Sequence, residues 1–236
     1  MTGEGDEQRL DLARQRVGID RAAELVERGL ELVRAISDGA WAAVSTWEAH
    51  TLALKRDGSL WAWGSNRTGH LGHRDRAIRD RPTRIGEATD WAAVVAGFGH
   101  TLALRRDGSL WGWGNNDTRH LGLGDREARD RPTCIGGSDW AAVATEWGHS
   151  IALKRDGSLW AWGYNGCGQL GLGDEDDRER PTRIGGDGDW ASIAAGWHHT
   201  LALKHDGSLW GWGFNYNGQL GVGDAKDRRR PTRIPS

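Results

Sequence analysis

Six residues return four times along the chain at an almost fixed interval: SLWAWG at 59–64, SLWGWG at 109–114, SLWAWG at 158–163 and SLWGWG at 208–213. The Trp opening each copy stands at 41, 91, 140 and 190, which sets the spacing at 50, 49 and 50 residues. Such a period implies stacked units, none able to bury its apolar surface alone, and it decides the architecture before any single residue does. Copies of about 41–90, 91–139, 140–189 and 190–236 fill residues 40–236 and leave 1–39 as a separate N-terminal segment.

Within one copy the signals are those of strands. WAAV at 41–44 is a run of small residues suited to the crowded middle of a radial array. HTLALKRDGSLWAWG at 50–64 is a hairpin, two apolar runs joined around Asp57-Gly58, and the Asp-Gly pair returns at 107–108, 156–157 and 206–207. In the second run Trp61 and Trp63 share one face, and the residue between the two Trp is always tiny: Ala62, Gly112, Ala161 or Gly211. Trp111 with Trp113, Trp160 with Trp162 and Trp210 with Trp212 repeat the arrangement. Bulky against tiny, with both faces apolar, predicts sheets sandwiched by their neighbours. A Gly-rich loop follows (GHLG at 69–72, RHLG at 119–122, GQLG at 168–171 and 218–221), then a charged stretch, then PTRI or PTCI as a short outer strand with Pro at its head. About four short strands per unit without helical periodicity is the arithmetic of a propeller blade.

Composition narrows the function. Fifteen Trp stand beside two Phe, two Tyr and one Met, so rigid rings build the units. A net charge of −2 gives no electrostatic footprint for nucleic acid or an anionic membrane. Cys134 and Cys167 occupy non-equivalent positions, which excludes a repeated disulfide or metal framework and leaves ordinary thiols. No signal peptide pattern and no run of about 18 apolar residues is present, so the expectation is a soluble cytoplasmic protein.

Residues 1–39 read as helix, interrupted near Gly18, with Asp20 as an N-cap and an end around Asp38-Gly39. Ile19, Leu25, Val26, Leu30, Val33 and Ile36 gather on one broad face opposite Glu24, Glu27, Arg28, Glu31 and Arg34. That face must be buried, on the array itself or against a partner or second copy.

The combination of G-x-x-H-T, D-G-x-L-x-x-W-G, G-Q-L-G and a closing P-x-x-I resembles the repeats of the regulator of chromosome condensation family, over about 195 residues. The resemblance implies an all-β propeller of four-stranded antiparallel blades, used mainly for protein–protein recognition. The family commonly has seven blades and this chain has four copies. Either the four close alone, or a second chain completes the ring, as eight blades, or the arc stays open.

Candidate sites follow from the repeat. His50, His100, His149 and His199 recur at one position, a blade apart, too far to converge on one ion, so they are expected to be structural, satisfying loop backbone groups. No nucleophile elbow, phosphate loop or other enzyme motif is present, and neither metal nor cofactor is expected. Two residues before each His the copies differ: Glu48, Phe98, Trp147 and Trp197, with Trp47 displaced by one. Trp47, Phe98, Trp147, Trp197 and the neighbouring His198 are candidates for a partner-binding aromatic patch. The charged stretches before each Pro (74–81, 126–131, 175–180, 226–230) also vary, and Arg228, Arg229 and Arg230 form the most basic of them. These runs are expected to be solvated outer edges, or else a charge-complementary partner surface.

The expected function is a non-catalytic scaffold that presents loops to a protein partner, with the N-terminal helices docking or mediating oligomerisation. The resemblance raises guanine-nucleotide exchange on a small GTPase as the alternative, although the wedge insertion used for it has no counterpart in four copies of equal length. It also raises enzyme inhibition, and UV-B sensing through Trp, because GWHHT at 196–200 is similar to the GWRHT motif of light-sensing members. The Arg of that motif is replaced here by Ala49, Gly99, Gly148 and His198.

Overall fold

The computed structural model describes residues 40–235; the helices expected over 1–39 lie outside the described residues. Each repeat folds into one antiparallel four-stranded sheet made of strands consecutive in sequence. Blade 1 is β1 (Trp41–Trp47), β2 (His50–Lys55), β3 (Leu60–Gly64) and β4 (Arg79–Arg84). Blade 2 is β5 (Trp91–Gly97), β6 (His100–Arg105), β7 (Leu110–Gly114) and β8 (Arg129–Gly136). Blade 3 is β9 (Trp140–Thr145), β10 (His149–Lys154), β11 (Leu159–Gly163) and β12 (Arg178–Arg183). Blade 4 is β13 (Trp190–Ala195), β14 (His199–Lys204), β15 (Leu209–Gly213) and β16 (Arg228–Arg233).

The repeated sequence dictates the hairpin at the centre of each blade. Asp57 Oδ1 accepts hydrogen bonds from the Ser59 amide at 2.8 Å and the Ser59 hydroxyl at 2.6 Å. Ser59 Oγ in turn accepts from Trp61 Nε1 at 2.9 Å, so the turn fixes the rotamer of the first Trp of β3. Gly58 has φ +80, the left-handed conformation that a side chain resists. The same relay operates at Asp107, Asp156 and Asp206. It sets the register Thr51↔Trp63, Leu52↔Ala62, Ala53↔Trp61, which recurs in every blade.

The outer strand departs from expectation. It begins before the Pro: Pro82 is the fourth residue of β4, and the charged residues Arg79, Asp80 and Arg81 are strand rather than loop. The ladder shifts register between Ala62↔Thr83 and Gly64↔Arg79, so Pro82 falls in an irregular stretch on the sheet edge, where a missing amide costs nothing.

The small-residue strands β1, β5, β9 and β13 are innermost, and strands of successive blades pack on one another there: β1 and β2 on β5, β6 and β5 on β9, β10 and β9 on β13. One apolar cluster forms at each junction. Between blades 1 and 2, Leu52, Leu54, Leu60 and Leu71 meet Trp91, Val94 and Trp113. Between blades 2 and 3, Leu102, Leu104, Leu110 and Leu121 meet Trp140, Val143 and Trp162. Between blades 3 and 4, Ile151, Leu153, Leu159 and Leu170 meet Trp190 and Trp212. Leucines of one blade thus face tryptophans of the next. Blades 1 and 4 share no such cluster, and the four-bladed unit is an open arc.

Candidate partner-binding surface

The link from first to second strand of each blade is where the repeats differ most. It is Glu48-Ala49 in blade 1, Phe98-Gly99 in blade 2, 146–148 in blade 3 and 196–198 in blade 4. The residue that follows the third strand donates its amide to a carbonyl of this link: Ser65 to Ala49, Asn115 to Gly99, Tyr164 to Gly148 and Phe214 to His198, each at 2.8 Å. Two variable positions from separate parts of each repeat are therefore held side by side at one end of the array.

The consequence is an uneven distribution of rings. The chain has two Phe and two Tyr, and all four (Phe98, Tyr164, Phe214 and Tyr216) lie at this end. Trp147 packs edge-on to Tyr164 at 5.6 Å and to His198 at 5.0 Å. Trp197 stacks on His198 at 4.9 Å, and Phe214 stacks on Tyr216 at 6.3 Å. Trp197 is 63% exposed and Tyr216 75%, so two large rings face solvent side by side with the packed ones. Burial holds the His198 imidazole below its ordinary value, so it is a neutral ring among rings at pH 7. Tyr164, Phe214 and Tyr216 were not singled out from sequence; the signal was that three of the four Phe and Tyr fall just after SLWxWG.

On the blade 1 side the displaced Trp47 has a different task. Its Nε1 donates to Glu146 Oε1 of blade 3 at 2.7 Å, and its ring meets Phe98 edge-on at 4.9 Å. The Phe98 amide donates to the Glu146 carbonyl at 2.8 Å. Glu146 and Trp47 hold equivalent positions in blades 3 and 1, and their bond ties blades that are not neighbours. Glu146 was not singled out from sequence.

The recurring histidines lie close beneath this end. Three of them, His50, His100 and His149, are buried, and His199 is half-buried. Their main polar contacts reach across blade junctions rather than into their own loops: His100 Nε2 to the Thr145 hydroxyl at 2.8 Å, His149 Nε2 to the Thr200 hydroxyl at 3.1 Å. The equivalent of Thr145 at the first junction is Ala96, and His50 Nε2 has no partner. His50 lies 4.5 Å from His70 and His100 lies 4.0 Å from His120, ring to ring. Burial, with the His70 imidazole, pushes His50 down to about 4, and burial takes His120 to about 4. Burial, with His198 and His199, takes His149 to about 3. Among the described residues no three His, Cys, Asp or Glu side chains gather as a metal site.

The charged stretches are partly engaged within the chain. Arg228 pairs with Asp224 at 2.7 Å, and the same pair is Arg79–Asp75, Arg129–Asp125 and Arg178–Asp174 in the other blades. Arg229 pairs with Glu175 of blade 3 at 2.7 Å, and Arg230 lies over Gly173 of that blade. Arg119 of blade 2 pairs with Asp177 at 2.7 Å and Glu179 at 3.0 Å, both of blade 3. The acidic stretch of blade 3 is thus complementary to Arg119 of blade 2 and to Arg229 of blade 4.

Sheets fanned around a common centre, one per repeat, with variable loops gathered at one end, define a propeller-type repeat. The sequence profile of the regulator of chromosome condensation (RCC1) repeat matches residues 57–104, 107–153, 156–203 and 206–236, and the chain belongs to that family. A second profile of the same repeat matches 91–118, 141–169 and 190–219. Among solved structures, Prp20p from Saccharomyces cerevisiae is 25% identical with a TM-score of 0.74, over 83% of this chain and 50% of that one. Human WBSCR16 is 25% identical with a TM-score of 0.75, over 83% and 52%. Yeast RCC1 (Prp20) bound to Kap60 is likewise 25% identical with a TM-score of 0.72, over 83% and 49%. The chain spans about half the length of these proteins. No curated protein gives a significant sequence match. Among the described residues no helix is long and apolar enough to cross a membrane.

Proposed function

We propose that this chain is a non-catalytic scaffold that binds a protein partner through the aromatic end of blades 3 and 4. The observation that carries the reading is the convergence there of every Phe and Tyr but Phe98 with Trp147, Trp197 and His198, two of the rings standing largely in solvent. Rigid rings with polar tips are the residues that most often anchor interfaces. Prp20p is described with its binding to Gsp1p and histones, and yeast RCC1 with bound Kap60, so protein recognition is a property of the relatives. Guanine-nucleotide exchange and enzyme inhibition are other uses of the family, and no feature of this surface favours either. The proposed site of action is the cytoplasm, with the N-terminal segment as a docking or assembly element.

The test is quantitative capture on the full chain and on the Trp197→Ala/Tyr216→Ala variant, with near-UV circular dichroism to confirm folding. Proteins retained by the native chain and reduced at least tenfold on the variant support the surface, since truncating an interfacial Trp commonly costs about 2 kcal/mol or more. Equal retention, or none on either, overturns it.

A further inference from the structure

The three blade junctions are built to one plan. The trailing face of a blade offers leucines around a bare glycine, and the leading face of the next lays two Trp and a β-branched residue on it. A Cβ on Gly72 would come within 2.8 Å of Trp113 Nε1, on Gly122 within 2.7 Å of Trp162, and on Gly171 within 2.7 Å of Trp212. Trp113 and Trp162 also donate across the junction to the carbonyls of His70 and His120, at 2.9 and 2.8 Å.

Among the described residues, the arc ends on both halves of this plan with nothing laid over them. On blade 4, Leu203 is 37% and Leu209 40% exposed, whereas the equivalent Leu104 and Leu110 are 3% and 0%. A Cβ at Gly207 or Gly218 would meet nothing within 4 Å, and at Gly221 only Ile234 of its own blade. On blade 1, Trp41 is 47% exposed against 2%, 6% and 2% at Trp91, Trp140 and Trp190. Val44 is 68% exposed against 8% at Val94 and 9% at Val143.

We propose that blade 4 of one copy docks on blade 1 of a second copy, and reciprocally, so that two chains close a ring of eight blades. The occupant is a second copy because the chain itself makes the same pairing three times with the same residues. Trp63 would cover Gly221 as Trp113 covers Gly72. Thr46 and Thr51 would offer His199 the hydroxyls that His100 and His149 find at Thr145 and Thr200. Charge does not oppose the contact. Where Glu175 meets Arg229 at the third junction, the new one sets Ala225 against Asp80. Eight is within the usual range of about four to eight blades, and a head-to-tail contact that closes gives a ring rather than a filament. This inference uses the blade faces and is independent of the aromatic end.

Light scattering and sedimentation of the full chain over a range of concentrations provide the test. The expected mass is twice that of the chain, with nothing larger. Val44→Arg and Leu203→Arg each place a charge in one half of the junction, and each variant is expected to run as a single chain. Mixing the two is expected to restore a two-chain species, because each keeps the face the other has lost. A native chain that stays single, as when residues 1–39 cover the faces, overturns the proposal, as does a mass that keeps rising with concentration. Failure of the mixture to pair, with both variants folded by near-UV circular dichroism, overturns it too. Retention of a partner at Trp197 is not altered by any of these outcomes.

Discussion

His120 is 2% exposed, lies against the His100 ring and places Nε2 on the Asn115 carbonyl, with the Thr118 hydroxyl 2.5 Å from Nδ1. Burial holds it near 4 instead of 6.5, against the Asn115 carbonyl and Asp117, which favour the charged ring. His50, His100 and His149 are lowered by the same cause. On unfolding these rings bind protons that the folded state refuses. Stability is therefore complete above pH 6.5 and falls as pH drops toward about 3–4, by up to about 1.4 kcal/mol per pH unit for each ring. Denaturant midpoints across that window check this. His120→Gln is expected to remove about one proton from the slope, because blades 3 and 4 already hold Gln169 and Gln219 at this place. An unchanged slope would show that His120 does not titrate in the fold. Packing is as exacting at the facing residue. Gly122 has φ +72 and sits against Trp162, whereas Gly86, φ +58, has nothing within 4 Å. Gly122→Ala is expected to cost about 2–4 kcal/mol, backbone strain plus overpacking, and Gly86→Ala about 1. Thermal or denaturant unfolding separates the two. The sequence marked the four recurring histidines as structural but hid their partners, since His70 and His120 approach His50 and His100 only when the loop folds back.

Between third and fourth strands each blade has fourteen residues without a ladder, and a buried Asn organises them. Asn116 is 0% exposed; its Oδ1 accepts from the Leu121 amide at 2.9 Å and its Nδ2 donates to the Asp125 carbonyl at 2.9 Å. Asn66, Asn165 and Asn215 do the same in their blades. Asn116→Ala leaves a buried amide and carbonyl unpaired, and the expected loss is about 2–3 kcal/mol in chemical denaturation. Wild-type stability in that variant would mean that the loop is held by its leucine alone. The Asn was visible as a fourfold repeat, yet an Asn in a Gly-rich loop reads as a turn residue, and only the folded loop shows it as a bridge. Hairpins were legible because Asp-Gly, Ser and Trp act within a few residues of one another. The charged stretches were legible only as charge. The pairing of the blade 3 stretch, through Asp177 and Glu179, with Arg119 of the blade 2 Gly-rich loop spans about sixty residues of sequence, and half-exposed pairs of this kind contribute about 0–1 kcal/mol. They match neighbouring blades more than they stabilise them.

At the scale of the molecule, blade number and strand order could be read from the period, because each repeat is a complete sheet. Whether the arc closes could not, since closure depends on the small rotation between sheets, which leucine and tryptophan packing sets at every junction and no single repeat encodes. The same nearest-neighbour construction fixes how stability is distributed. Opening blade 2 or blade 3 breaks two junctions, whereas opening blade 1 or blade 4 of a single chain breaks one. In Val44→Arg, held as a single chain, amides of β6 and β10 are expected to exchange at least about tenfold more slowly than those of β2 and β14, equivalent to about 1.4 kcal/mol. In the native chain at high concentration the fourth junction, made twice in a two-chain ring, covers both ends, and the four central hairpins should converge toward one protection level. Native-state hydrogen exchange followed by mass spectrometry resolves the blades, because HTLALR and HSIALK are unique and the two HTLALK segments differ in their flanks, AHTLALKR in blade 1 and HHTLALKH in blade 4. Equal protection of β2, β6, β10 and β14 in the single-chain variant would mean that the end faces are already covered within one chain, and the leucines of blade 4 would then need another explanation for their exposure.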